Sequence, residues 1–293
     1  MENLIVEAPP EFRALLGAFL FACNQILVRR LLERASALTI IFWVNGWMAV
    51  LAVVFSPLFD IYEGDWVAAL ILFLFTGLVG NLVARYSALR SSEYVGVSRT
   101  NALIAATPIG SALMGVVILG ERPDAGVWLG IALVVLGMIW LTGERITGAY
   151  SLRRYTFAFI AMAAFSFTPY LRKAGLAAMN APWLGIVVAT LIANVGLIAS
   201  SRFASQEQKF QWSMRVAGAC VPAGLFGLFS AVLFWTSLRD GQLAVISPLV
   251  RMTPIFVLLL SVVLLRDLEV ITKRLVMGIL IVVAGAVLVT SGG

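Results

Sequence analysis

Three arginines fall inside long apolar stretches of this chain: Arg85, Arg99 and Arg251. No acidic residue does, since all 15 carboxylates sit between the apolar runs or at their ends. An ionisable group within such a run is costly and marks a functional candidate. A guanidinium offers a planar fork of donors that grips carboxylate, phosphate or sulfate through two parallel hydrogen bonds. The pattern points to recognition of an anionic group. It argues against proton-coupled handling of cations, which needs a carboxylate that proton and cation can share. Catalytic chemistry is poorly served. The chain has no histidine, which removes zinc-protease and Ser-His mechanisms, and no paired aspartates lie within an apolar run. Cys23 and Cys220 both lie in apolar runs and read as small buried hydrophobes. No enzyme, metal or cofactor is expected.

Other polar groups share these runs. Arg99 and Arg251 are placed about eight to ten residues into theirs, roughly 12–15 Å at helical rise, where snorkelling to the interface is hard. Arg85 lies nearer Arg90 and has the easier escape. Helical spacing of four puts Asn81 on the face of Arg85 and Ser247 on the face of Arg251. Asn24, Gln25, Asn45, Asn101 and Asn194 must also find partners inside a bundle, either a substrate or a neighbouring helix. Trp43, Tyr170 and Trp235 offer rings for stacking on a substrate or for packing. Pro108 and Pro254, each following a threonine, are candidate hinges because proline removes a backbone donor. Glu121 and Asp267, at the ends of the same two runs, are candidate loop locks. Substrate contact is therefore expected from Arg99, Arg251, Asn24, Asn81, Arg85, Ser247, Asn101, Tyr170, Trp235 and Trp43.

These groups must be positioned by helices in lipid. The chain is 61% hydrophobic and 12% charged, with a mean hydropathy of +0.99, far more apolar than a soluble domain. A spanning helix needs about 20 apolar residues. Ten spans fit, at 12–32, 37–57, 66–89, 92–119, 124–142, 153–176, 182–201, 213–238, 241–265 and 271–290. The first ten residues hold Glu2 and Glu7 and no base, unlike a signal peptide, so the first run is expected to stay as a helix. The net charge of +6 is spread among loops, which fits membrane topology better than nucleic-acid binding.

The spans repeat. AFLFACNQILVRR (18–30) matches AMAAFSFTPYLRK (161–173), each ending in a basic pair. Thr107-Pro108 followed by Glu121 matches Thr253-Pro254 followed by Asp267, and Gly130 and Gly137 match Gly278 and Gly285. Residues 1–149 and 150–293 are thus two copies of five helices. Five is odd, so the copies enter the membrane from opposite faces, an arrangement that suits alternating access to a central site. Loops after the odd-numbered spans carry 13 Lys and Arg against five on the other side, which puts both termini outside the cytoplasm.

The run ATPIGSALMGVVILGERP (106–123), its second copy MTPIFVLLLSVVLLRDL (252–268) and the openings FACNQILVRR and FSFTPYLRK resemble the EamA repeat of the drug/metabolite transporter superfamily. The family's usual first-helix tryptophan is Phe21 here. The resemblance covers nearly the whole chain. It implies an all-α fold of ten transmembrane helices, a central cavity lined by helices 1–4 and 6–9, and helices 5 and 10 outside it. It also implies export or exchange of small metabolites, with the YddG-like amino-acid exporters as the comparison, and a bacterial inner membrane. Its members keep both termini in the cytoplasm, opposite to the loop charges. Expected partners are a small-molecule substrate, membrane lipid and a coupling ion, with the chain a monomer or a homodimer. The competing readings are export of neutral or cationic drugs and a membrane scaffold or sensor without transport.

Overall fold

The computed structural model describes residues 8–142, 152–201, 210–264 and 273–291. Among these residues the secondary structure is helical, apart from one isolated bridge pairing Gly64 with Met179. The helices follow the apolar runs. They are α1 (Pro10–Leu31), α2 (Ala37–Phe59), α3 (Trp66–Val95), α4 (Val97–Ala105, then Thr107–Leu119) and α5 (Ala125–Thr142). The second half contains α6 (Thr156–Ala178), α7 (Pro182–Ser201), α8 (Met214–Ala219, then Val221–Asp240), α9 (Leu243–Val250, then Thr253–Leu264) and α10 (Lys273–Ser291).

Seven of these, α1 to α4 and α7 to α9, contain stretches long and apolar enough to cross a membrane. The apolar stretches of α5 and α10, Ala125–Leu141 and Val276–Ser291, are shorter, and α6, which carries Arg172 and Lys173, is outside the seven. Large apolar side chains such as Val117 (78% exposed) and Val195 (68%) face outwards. Lipid is the solvent that makes such a surface favourable.

Two boundaries differ from the expected spans. Arg90 and Glu93 form no loop: α3 runs on to Val95, and the two side chains pair one helical turn apart at 2.9 Å. The chain turns instead at Gly96, where φ is +89°, a conformation open to glycine. Within α3 the segment Gly77–Val83 is a π-helix. Its glycines let neighbours approach, since a Cβ at Gly77 would lie 3.0 Å from Ile192 of α7 and one at Gly80 would lie 2.7 Å from Thr168 of α6.

The packing reveals how the halves relate. Helix α2 lies on α7 and α5 lies on α10, each helix against its own repeat mate. Both pairs run antiparallel. Phe42 meets Asn194 while Phe59 meets Trp183. Gly130 meets Val289, Gly137 meets Val282 and Leu141 meets Gly278. Repeat-equivalent helices of opposite direction make the two copies inverted. The remaining contacts obey the same exchange: α1 packs on α8 as α6 does on α3, and on α9 as α6 does on α4.

The four repeat glycines make the α5–α10 contact possible. A Cβ at Gly130 would sit 2.6 Å from the Gly285 carbonyl oxygen, and one at Gly285 would sit 2.8 Å from its Gly130 counterpart. Close backbone approach of this kind is how small residues join helices in lipid. Gly130→Ala should therefore lower stability by about 1–3 kcal/mol, the usual cost of overpacking. Gly218→Ala, with nothing within 4 Å of the new Cβ, should leave it unchanged or slightly raised. Thermal unfolding of the two purified variants in detergent checks both outcomes.

Candidate functional site

Helices α6, α8 and α9 bring a second kind of cluster together. Helix α6 carries Phe165 and Arg172 seven residues, or two turns, apart and so on one face. The Arg251 guanidinium lies over the Phe165 ring at 5.5 Å. The Arg172 guanidinium lies over Phe234 at 5.1 Å and Trp235 at 5.3 Å, both on α8. Arg85 stands on α3, the second part of which packs against α6. Three arginines thus stand on α6 and on two helices packed against it, and aromatic faces hold two of them. Cation–π contact of this kind favours a guanidinium over a flat ring.

No carboxylate answers these charges among the described residues. The ion pairs join Arg13 to Asp240, Arg90 to Glu93, Lys173 to Glu121 and Arg239 to Asp240, and none includes Arg85, Arg172 or Arg251. The Nε of Arg172 is buried without an acceptor. One turn before Arg251, the Ser247 hydroxyl is likewise buried without a partner, its residue only 6% exposed. Arg85 itself is exposed.

Arg251 also marks a break in its helix. The first part of α9 ends at Val250, Arg251 has φ −71° and ψ −4°, and the second part begins at Thr253 with Pro254 next. Helix α4 breaks the same way at Ala106, with φ −79° and ψ −1°, before Thr107-Pro108. A proline in the first helical turn has no hydrogen bond to lose. The two Thr-Pro pairs, Pro108 and Pro254 included, therefore stand at equivalent helix breaks. The second part of each helix directs its N-terminal dipole into the bundle, where it favours negative charge.

The other expected site residues scatter. Asn24 donates to the Ala223 carbonyl at 2.6 Å and Asn81 to the Ala189 carbonyl at 2.9 Å, so both tie helices of opposite halves. Asn194 donates to Phe42 in the same manner, whereas the Asn45 amide nitrogen is buried without an acceptor. Asn101 and Gln25 are exposed. Tyr170 packs at a tilt on Phe167, and Trp43 packs on Phe42 and Trp212. Trp235 is the one expected ring that joins the arginines. Arg99 lies three residues into α4, nearer its helix end than the spans imply, because the chain turns at Gly96.

In sequence Arg172 resembles a span-closing base, paired with Lys173 as Arg29 is with Arg30. Helix α6 runs past both residues to Ala178, close to the expected span end at 176, and the two side chains diverge. Arg172 enters the aromatic cluster. Lys173 instead reaches the Gly241 carbonyl and the Glu121 carboxylate. The apolar AGLAA that follows the pair is the sequence signal for this continuation.

Glu121 closes one end of the bundle. Its carboxylate accepts from the backbone N–H groups of Leu243, at 2.8 Å, and Ala244, at 3.3 Å, and so caps the start of α9. Asp60 does the same for α7, accepting from Trp183 at 3.0 Å and Leu184 at 2.8 Å. Burial pushes the Asp60 carboxyl above its ordinary value, and these donors pull it back. At the same end Arg13 pairs with Asp240 at 2.6 Å, and Arg239 bonds Asn180 at 2.7 Å. The lock expected of Glu121 is seen in these contacts; Asp267 lies outside the described residues.

Residues 9–143 and 152–291 both match the EamA-like transporter family. This chain belongs to that family. It is a multi-pass membrane transporter of small solutes, and members of the family are transporters rather than enzymes. A solved crystal structure aligns over 96% of each chain with a TM-score of 0.74 and 15% identity, a likeness of fold. No curated protein matches the chain.

Glu121→Ala should strand the Leu243 and Ala244 N–H groups and remove the Lys173 partner. The expected loss is about 1–3 kcal/mol of stability, with Glu121→Gln losing less because its amide oxygen still accepts. Thermal denaturation of wild type and both variants measures the difference.

Proposed function

We propose that this EamA-family chain is an alternating-access carrier for a small solute bearing an anionic group, which Arg172, Arg251 and Arg85 receive between the two halves. The observation that carries this reading is a pair of ring-stacked guanidiniums, Arg172 and Arg251, with Arg85 on a neighbouring helix and no carboxylate paired with any of them among the described residues. A positive charge held away from water is costly unless paired. A passing anion supplies the pair, and it leaves again because the charge is shared among donors that the protein retains.

The inverted repeat supports the transport cycle. Ten crossings, with α5, α6 and α10 included, form two five-helix halves at 1–149 and 150–293. The halves rock about the breaks at Pro108 and Pro254, while the end carrying Glu121, Asp60 and Arg13 is shut in this conformation. Arg99, near the start of α4, meets the solute at the opposite mouth. Ser247 and Trp235 complete the site, and amino acids are one class of solute with the required carboxylate. The setting is a bacterial inner membrane.

Proteoliposome uptake of a panel of organic anions, amino acids and cations tests this reading. Arg251→Ala should reduce uptake of every transported anion by about tenfold or more, the loss of one charge-assisted contact of roughly 1.5–3 kcal/mol. Arg99→Ala should reduce it less. Unchanged anion uptake in Arg251→Ala, or uptake confined to cations, would contradict the assignment.

A further inference from the structure

We infer that the cargo carries two negative charges: the arginine cluster is a site for a dianionic solute, such as a dicarboxylate or a phosphate. This rests on the anion-carrier reading above and narrows it. The charge inventory separates the classes. A zwitterionic amino acid brings an ammonium that needs an acceptor. The carboxylates Glu121, Asp60 and Asp240 are already engaged by Lys173, backbone N–H groups and arginines at the closed end. An ammonium set among the guanidiniums would meet repulsion, and no carboxylate among the described residues pairs there to offset it. A monoanion answers one positive charge of three. A dianion answers two, and its second group finds donors already aimed.

The donor geometry agrees. Rings of Phe165, Phe234 and Trp235 hold Arg251 and Arg172 by their faces. A guanidinium stacked in this way keeps its N–H edge free for an oxyanion fork. The unpartnered Nε of Arg172 and the unpartnered, buried Ser247 hydroxyl add donors that the protein leaves unused. Phe165 and Arg172 stand two helical turns apart, about 10 Å along α6. Arg251 stacks on Phe165 and Arg172 on Phe234 and Trp235, so two separate guanidinium forks serve the one cluster.

Matched four-carbon solutes isolate charge from shape: succinate as dianion, succinamate as monoanion, 4-aminobutyrate as zwitterion and 1,4-diaminobutane as dication, with inorganic phosphate as a compact dianion. Two readouts are taken on the full-length protein. These are uptake into proteoliposomes and thermal stabilisation in detergent at constant ionic strength. The expected result is succinate or phosphate uptake about tenfold above succinamate and 4-aminobutyrate, with stabilisation in the same order. Arg172→Lys should keep part of that preference, and Arg172→Ala should abolish it while the melting transition remains cooperative. If succinamate or 4-aminobutyrate is carried as well as succinate, the dianion assignment is overturned and the anion reading stands. If only the dication is carried or stabilises, both fall. Absence of stabilisation by succinate and phosphate overturns the dianion assignment even when no solute is taken up.

Discussion

Positive charge without a resident counter-ion is the constraint around which this membrane protein is arranged. Desolvating a guanidinium is expensive, and placing several near one another adds repulsion to that cost. The chain offsets part of it with ring faces, since Phe165, Phe234 and Trp235 receive the cations. It places no described carboxylate beside them. The carboxylates instead act at the closed end, where Glu121 and Asp60 cap helices and Asp240 holds Arg13. The acids thus fasten helix termini, while Arg172 and Arg251 lie on ring faces instead of carboxylates.

The duplication explains how the two halves are held together. Antiparallel contacts of α2 with α7 and α5 with α10 fix the halves as inverted copies. The glycine-lined α5–α10 contact and the asparagine bonds from Asn24 and Asn81 tie the halves at many points. The Thr-Pro breaks of α4 and α9 interrupt the two helices that enter the centre from opposite sides. Arg251 stands at one break, so a change in helix angle there would alter donor geometry directly.

Much of this is legible in the residues. Apolar runs mark the helices, equal spacing marks the repeat, and Gly130, Gly137, Gly278 and Gly285 mark the close contact. Arg251 lies where its run implies, eight residues beyond the start of α9. Two features resist such reading. A positive φ at Gly96 moves the α3–α4 turn away from the charged Arg90–Glu93 segment and brings Arg99 close to a helix end. Charge alone does not break a helix when i,i+3 partners pair on it. Arg172 is hidden by its likeness to Arg29. Only the packing of α6 on α8 shows that one basic residue turns to the aromatic interior while its neighbour, Lys173, reaches the Glu121 latch. Asparagines are ambiguous for a related reason, since lipid compels a partner without choosing between substrate and helix.

Charge movement on solute binding tests the central claim most directly. Protein-containing membranes adsorbed on a solid support report transient currents when solute is added, before and apart from net accumulation. The account predicts a negative charge displacement with anionic solutes, absent with cations and lost in an Arg172→Ala, Arg251→Ala double variant. Currents evoked only by cations, or an anion signal unchanged in the double variant, would contradict it.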